Sequence, residues 1–126
     1  MIETFRLLIF CCMLSLSITV VAAPPRTSRD EIEHLIHYVE TSECQFDRND
    51  EWRSGVDAAA HLRDKYNYVL FFWGKPTAEQ FIKDIASNSS YSGRPYVVRC
   101  GNGPLTPSAD WLFQELRRYR AGNSNS

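Results

Sequence analysis

The sequence lacks the short motifs by which common enzyme classes are identified. It contains no P-loop, no dinucleotide-binding glycine pattern, no Gly-x-Ser-x-Gly elbow and no His-Glu-x-x-His pair. It also lacks an excess of either charge, with 14 Lys and Arg against 15 Asp and Glu and a formal net charge of -1. A near-neutral chain has no general attraction to nucleic acid or to anionic membranes, so charge indicates neither as a partner. Its 126 residues leave room for one domain.

Long apolar runs are scarce outside the first 23 residues. This segment has a charged start, an apolar run over Leu7–Leu14 and small residues at its end, which is the layout of a secretory signal peptide. We expect residues 1–22 to be removed, which leaves a single small domain over residues 23–126 without a membrane span. The alternative is a retained membrane anchor, although the run is short for a span of about 20 apolar residues. The predicted location is periplasmic or secreted.

Cysteine is also scarce once the signal peptide is removed, because Cys11 and Cys12 lie within it and only Cys44 and Cys100 remain. Two thiols in an oxidising compartment pair, and only one intramolecular connectivity exists. A disulfide between them would stabilise the fold by about 4 kcal/mol, chiefly by restricting the unfolded chain. The alternative is a reactive thiol at Cys100, for which the adjacent Arg99 is the only indication.

Two capping boxes predict the starts of helices. The box that begins at Ser28 precedes an apolar stripe at helical spacing and predicts a first helix over residues 29–40. The box that begins at Thr77 predicts a third helix over residues 78–87. Both helices have one apolar face and therefore pack on a common core.

Two further helices depend on other signals. Apolar residues from Ala58 onward predict a second helix that ends before Gly74. Within it, residues 69–73 are apolar all round and fit either the end of this helix or a short buried strand. A last helix is predicted to begin at Pro107 with Thr106 as its cap.

The segments between the helices complete the predicted fold. Residues 41–52 are polar and predict a loop, whereas residues 96–100 have the β-branched and aromatic content of one short strand. Residues 121–126 predict a disordered tail. The predicted fold is therefore mainly α, with about four helices, one short strand or extended segment, and one disulfide.

One loop is unusual in its composition. Residues 86–96 contain four serines, two tyrosines, an asparagine and an arginine on a backbone that Gly93 and Pro95 restrict. Such a composition is typical of an adaptable recognition loop. It is equally typical of a helix end that serines cap. Both interpretations stay open at the level of sequence.

The histidines do not predict a metal site. Glu33, His34 and His37 lie opposite the apolar stripe of the first helix, on its solvated side, and His61 is distant in sequence. No cysteine or third histidine stands at a fixed short spacing from them, as a zinc site would require. We therefore predict three surface histidines, no metal, no cofactor and no catalytic residue; whether the protein is an enzyme stays uncertain, leaning towards no.

Four short motifs resemble the YfeK-like family of small exported bacterial proteins, a domain family of unknown function. They are Phe46-x-Arg48-Asn49, His61-Leu62-Arg63-x-Lys65, Thr77-Ala78-Glu79-Gln80-Phe81-Ile82 and Ala86-Ser87-x-Ser89-Ser90-x-Ser92-Gly93-x-Pro95-Tyr96. The resemblance covers essentially the whole mature chain. The resemblance implies a periplasmic protein of a Gram-negative bacterium and carries no known activity, substrate or cofactor. The chain differs at Asp50, where a glycine commonly follows Arg-Asn.

The polar positions of these motifs are the predicted binding residues: Arg48, Asn49, His61, Arg63, Lys65, Ser89, Ser90, Ser92, Gly93 and Tyr96. His61 and Lys65 are four residues apart and therefore neighbours on the second helix. The predicted function is a non-catalytic envelope binding or accessory protein that holds an unknown polar ligand or an envelope protein. Two alternatives are a small cell-envelope hydrolase or transferase, and an inhibitor that inserts the serine loop into a lysozyme-like hydrolase.

Overall fold

The computed structural model describes residues 26–122, together with Ser17 and Thr19. The cleavage site predicted after residue 22 lies outside the described residues, as do residues 123–126 of the predicted tail. The other two residues of that tail, 121 and 122, are helical.

The described chain contains four helices. They are α1 (Ser28–Thr41), α2 (Gly55–Phe72), α3 (Ala78–Gln80) and α4 (Ser108–Gly122). A π-helical turn over Phe81–Ile85 continues α3. The helix predicted over residues 78–87 is thus present, but only its first turn is α-helical.

The polar segment after α1 forms a β-hairpin, where a loop was predicted. Strand β1 (Gln45–Arg48) pairs antiparallel with strand β2 (Glu51–Ser54). Asn49 and Asp50 connect them with φ angles of 55° and 66°, the left-handed backbone that a two-residue type I′ turn requires. The prediction of a loop over residues 41–52 is wrong because four-residue strands are too short to show a clear period in sequence.

Two further strands complete a sheet in the order β2-β1-β3-β4, in which every pair is antiparallel. Strand β3 (Val97–Arg99) confirms the predicted strand over residues 96–100, and β4 (Thr106–Pro107) is a short edge. The predicted mainly α fold is therefore wrong, and the protein is α+β. The predicted start of the last helix is also wrong. Thr106 and Pro107, which were expected to cap and open this helix, form β4, and α4 begins at Ser108.

The helix ends correct two other details. The residue that caps α1 is Thr27, which forms a reciprocal capping box with Asp30; the box predicted from Ser28 is displaced by one residue. Its expected partner Glu31 is instead buried and pairs with Arg120 of α4. The sequence left residues 69–73 open between a helix end and a short strand. In the structure α2 continues to Phe72, so these residues end a helix and form no strand.

One hydrophobic core lies between the helices and one face of the sheet. Phe46 of β1 and Val98 of β3 are cross-strand partners and are both buried. Phe46 packs edge-to-face against Trp111 of α4. The Cys44–Cys100 disulfide, which confirms the predicted pairing, joins the residues that flank β1 and β3. The disulfide thus adds a covalent link to the β1–β3 pairing.

Candidate functional site

Two residues of α2 meet a tyrosine that precedes β3. Nε2 of His61 lies 3.3 Å from the hydroxyl oxygen of Tyr96, and Nζ of Lys65 lies 3.4 Å from the same atom. Tyr96 is buried, whereas His61 and Lys65 are half-buried. The neighbours predicted from their spacing on α2 therefore converge on one phenol at the end of the sheet.

The ammonium of Lys65 is held by carbonyl groups of the polypeptide backbone. It donates to the carbonyl oxygens of Ile85 at 2.6 Å and Asn88 at 3.1 Å. Burial, followed by the nearby positive charge of Arg48, lowers the pKa of Lys65 from 10.5 to about 8. The lysine therefore stabilises the end of the π-helical turn and also contributes a desolvated positive charge beside Tyr96.

Arg48 of β1 acts electrostatically on all three of these side chains. Burial, and then the charges of Arg48 and Lys65, lower the pKa of His61 below 6.5. Burial also raises the pKa of Tyr96, although Arg48 and a hydrogen bond with Ser89 oppose that effect. At neutral pH the cluster therefore combines a neutral imidazole, a neutral phenol and two cationic groups.

A small cavity of about 40 Å³ opens beside this cluster, between the hairpin, α2 and α4. Its apolar lining consists of Val39, Phe46, Ala58, Leu62, Ala86 and Leu112. Its polar lining consists of Asp47, Arg48, Arg53, Asp57, His61, Tyr96 and Ser108. The cavity thus joins an apolar floor to a rim that is rich in charged and hydrogen-bonding groups.

Three buried polar atoms of the lining residues have no hydrogen-bond partner among the described residues. They are Oδ1 of Asp47, Nε of Arg53 and Oγ of Ser108. Arg53 uses its terminal NH2 group to pair with Glu51, so its Nε is the unpaired donor. Leaving a buried polar group unpaired costs about 1–3 kcal/mol, which marks this cavity as the place where partners are missing.

The serine loop satisfies its own backbone. Oγ of Ser89 accepts hydrogen bonds from the amides of Tyr91 at 3.2 Å and Ser92 at 3.3 Å, and from the side-chain amide of Asn49 at 3.1 Å. The hydroxyl of Ser92 donates to the other side-chain atom of Asn49, Oδ1. Asn49 therefore ties the hairpin turn to the loop, and the hydroxyls of Ser89 and Ser92 are engaged in this local network.

Of the ten predicted binding residues, Arg48, His61 and Tyr96 line the cavity and the other seven do not. Arg63 faces α1, where it pairs with Glu33 at 3.0 Å. Gly93 has a φ of 72° and donates its amide to the carbonyl oxygen of Ser89, so it shapes the loop. Ser90 is exposed on the loop. The structure brings together Arg48, His61, Lys65 and Tyr96, with Asn49, Ser89 and Ser92 forming the adjacent support.

Sequence reasoning missed Asp47, Arg53 and Ser108 as lining residues. Arg53 is the cross-strand partner of Phe46, so its place beside the core follows only from the hairpin register. Ser108 is buried at the start of α4, where its amide donates to the carbonyl oxygen of Tyr96. The sequence signal that indicates the hairpin is Asn49-Asp50, because asparagine and aspartate adopt the left-handed backbone of a hairpin turn more readily than most other residues.

The histidines of the described chain do not share one environment. His37 is exposed, but His34 stacks on Tyr119 with ring centroids 3.7 Å apart and its Nε2 lies 2.7 Å from Oε1 of Glu115. The prediction that all three histidines lie on the surface is therefore wrong for His34 and for the half-buried His61, and it is confirmed for His37. Within residues 26–122, no group of three or more His, Cys, Asp or Glu residues is placed to hold a metal ion.

None of the helices over residues 26–122 is both long enough and apolar enough to span a bilayer. No curated protein and no solved structure is detectably similar to this chain. One protein family does match it, over residues 26–120, and that match includes the hairpin, the cavity and the serine loop. The chain therefore belongs to the family of unknown function DUF5329.

Proposed function

We propose that this protein is an exported, non-catalytic binding protein that holds a small ligand with an anionic group in the cavity beside Arg48 and Arg53. The Cys44–Cys100 disulfide supports export, because such bonds persist in oxidising compartments. The resemblance to the YfeK-like exported proteins supports the same location. The cavity itself supports the binding role.

The observation that carries the proposal is the presence of unpaired polar atoms at one cavity. Nε of Arg53 and Oγ of Ser108 are buried without partners among the described residues. A ligand oxygen within reach of these two atoms would accept from the first and would accept from or donate to the second. Binding would remove a cost that the unliganded fold carries.

The charges favour an anionic ligand. Within residues 26–122, Arg48 forms no ion pair, and its charge acts on His61, Lys65 and Tyr96. A carboxylate or phosphate oxygen placed near Arg48 and Arg53 would gain charge-assisted hydrogen bonds, which are stronger than neutral ones. Asp47 and Asp57 also line the cavity and disfavour a second negative group. The unpaired Oδ1 of Asp47 favours a hydrogen-bond donor on that side of the ligand.

The size and the floor of the cavity restrict the rest of the ligand. The cavity of about 40 Å³ is far smaller than the ~300 Å³ or more of pockets that enclose drug-sized molecules. It therefore admits a group of a few heavy atoms. Its apolar floor favours a short aliphatic substituent on the anionic group.

Three small molecules of matched shape test the proposal: butyrate, butanol and butylamine. We expect butyrate to shift the amide resonances of residues 46–48, 53 and 61 in NMR titrations of the disulfide-bonded protein. Butanol should bind more weakly and butylamine should not bind. Arg53→Ala should weaken butyrate binding about tenfold, the loss of one charge-assisted hydrogen bond.

The control is Arg94→Ala, because Arg94 is an exposed arginine that pairs with Asp50 away from the cavity. This variant should bind butyrate as the wild type does. Equal binding of butyrate and butylamine, or an unchanged affinity in a folded Arg53→Ala protein, would contradict the proposal.

One observation favours a second candidate function, inhibition of a lysozyme-like hydrolase. Tyr91 is 97% exposed in the serine loop, which Asn49 ties to the hairpin. A loop that is already ordered loses less entropy on entering a cleft. The protein should slow cell-wall hydrolysis by lysozyme, Tyr91→Ala should remove the effect, and Leu105→Ala, at another exposed apolar site, should retain it. Equal rates with and without the protein would exclude this function.

A further inference from the structure

The end of α2 concentrates exposed apolar side chains. Of the nine large apolar side chains that are exposed in the described chain, five lie here: Tyr68, Leu70, Phe71, Phe72 and Trp73, which we call the aromatic tip. Phe71 is 82% and Trp73 is 79% exposed. No charged residue lies between positions 67 and 74. Neither the cavity nor the disulfide accounts for this cluster.

The aromatic tip protrudes and does not form a flat face. Successive helical residues point about 100° apart, so Leu70–Trp73 surround the helix end on several sides. The ring of Phe72 contacts the rings of Tyr68 and Phe71, with centroids 4.6 Å and 4.8 Å apart. The helix then ends, and Gly74 turns the chain away with a φ of 96°. A helix end that carries apolar rings on several sides suits insertion into a soft apolar phase better than docking on one stripe, although Trp73 also borders Lys75 and Asp84.

The position of the tip relates it to the N-terminal segment. Helices α1 and α2 run antiparallel, because Arg63 pairs with Glu33 while Gly55 lies against Val39. Continuing this register along α2 brings Tyr68, the first residue of the tip, level with Ser28, where α1 begins. The chain that leads to the apolar run Leu7–Leu14 therefore leaves the described fold at the same end of the molecule as the tip.

We propose that the aromatic tip inserts into the interfacial region of a lipid bilayer. Aromatic rings are enriched at the boundary between headgroups and acyl chains, where tryptophan and tyrosine are especially common. Residues 15–25 can span at most about 40 Å when fully extended. A chain held at a membrane by the run Leu7–Leu14, during export or permanently, thus presents the tip to that same bilayer.

The attraction depends on apolar contact and not on net charge. The formal net charge of -1 supplies no attraction to anionic lipid. Binding should therefore occur on zwitterionic phosphatidylcholine and should change little with salt. The alternative is that a second copy of the chain covers the aromatic tip. The experiments below distinguish this dimer from binding to a bilayer.

The test uses the full chain with vesicles of phosphatidylcholine whose acyl chains carry bromine, a quencher of tryptophan emission. We expect the vesicles to quench the emission, and Trp73→Phe, which keeps an apolar ring, to remove at least half of the quenching. The control is Trp52→Phe: this exposed tryptophan lies on the sheet under the guanidinium of Arg99, so its loss should leave the quenching in place. Quenching that survives Trp73→Phe unchanged, or that is absent in the wild type, would overturn the proposal.

Two lipid-free measurements identify the other occupants. A sedimentation-equilibrium dimer that Phe71→Ser dissociates, without quenching by the brominated lipid, would assign the tip to a second copy and overturn the proposal. Protection of Trp73 emission from aqueous iodide in the lipid-free chain would mean that the N-terminal segment covers the tip, and would overturn it as well. A monomer whose Trp73 is open to iodide is the expected result.

Discussion

The ammonium of Lys65 donates a hydrogen bond of 2.6 Å to the carbonyl oxygen of Ile85. Ile85 is the last residue of the π-helical turn, so a side chain of α2 satisfies a carbonyl at a helix end that lacks an intrahelical donor. The same ammonium lies beside Tyr96. One lysine therefore stabilises the scaffold and shapes the electrostatics of the candidate site.

The first prediction concerns the titration of Lys65. Its pKa falls from 10.5 to about 8 on folding, so between pH 8 and 10.5 the unfolded chain binds more protons than the folded one. The contribution of Lys65 to the free energy of unfolding therefore rises with pH across that window and is flat below pH 8. Urea unfolding should show wild-type protein gaining stability relative to Lys65→Met as the pH rises from 8 to 10. A difference in the free energy of unfolding between these two proteins that does not change with pH would contradict this. Lys75→Met, at an exposed lysine, is the control.

The second prediction concerns His61 and the ligand. Its pKa lies below 6.5 because of burial and the charges of Arg48 and Lys65, so the ring is neutral at pH 7. Protonation below that pKa adds a positive charge to the cavity, and butyrate should therefore bind more tightly as the pH falls from 6.5 towards the pKa of the ring. His61→Gln should flatten this dependence, whereas His37→Gln, at an exposed position, should retain it. Isothermal titration at each pH measures the effect, and an equal slope in His61→Gln would refute the assignment.

The same shift fixes the sign of the effect of His61 on stability. Since the folded pKa lies below 6.5, the unfolded chain binds more protons in the window between the two values. The contribution of His61 to stability therefore falls as the pH drops through this window and is complete above it.

The third prediction concerns the two adjacent serines of the loop. The buried hydroxyl of Ser89 accepts from Asn49 and from two backbone amides, so Ser89→Ala leaves donors unpaired and should destabilise the fold by about 1–3 kcal/mol. Ser90→Ala, at an exposed position, should change stability by less than about 0.5 kcal/mol. Thermal and urea unfolding measure both variants. Equal effects would mean that the Asn49–Ser89 link contributes nothing measurable.

The fourth prediction concerns the packing of α1 on α2. A Cβ at Gly55 would lie 2.3 Å from the carbonyl oxygen of Val39, so Gly55→Ala must separate two backbones and should destabilise the fold by about 2 kcal/mol or more. Gly122→Ala meets nothing within 4 Å and should be neutral or slightly stabilising. Urea unfolding of both proteins provides the measurement. A Gly55→Ala variant as stable as the wild type would show that α2 can shift without cost.

Local signals in the sequence determined the helices and the disulfide. Thr77 with Gln80 forms the predicted capping box, and the apolar spacing of α1 corresponds to residues that are buried in the core. Such signals are readable because each depends on residues within one or two turns. The pairing of Cys44 with Cys100 was likewise predicted and is confirmed, since only one connectivity exists once the two cysteines of the predicted signal peptide are set aside.

The hairpin, and the pairing of the strands into a sheet, were decided only by tertiary structure. Asp50 occupies a left-handed position in the hairpin turn, where the resemblance suggests that glycine is common, and the Asn-Gly signal of a hairpin is therefore missing from this chain. The two strands have four residues each and carry charged side chains. β1 is stabilised by pairing with β3 and by the burial of Phe46, whereas β2 is stabilised by pairing with β1; no local pattern records these contacts.

In the candidate site, too, some contacts follow from the sequence and others only from the tertiary structure. The sequence by itself determined that His61 and Lys65 are neighbours, because the helix period places residues i and i+4 on one side. Only the antiparallel register placed Arg53 beside Phe46, and only the packing of α4 buried Ser108 at the same cavity. Contacts within a helix follow from its period, whereas a cavity forms where segments distant in sequence meet, so its lining depends on the packing of the whole chain.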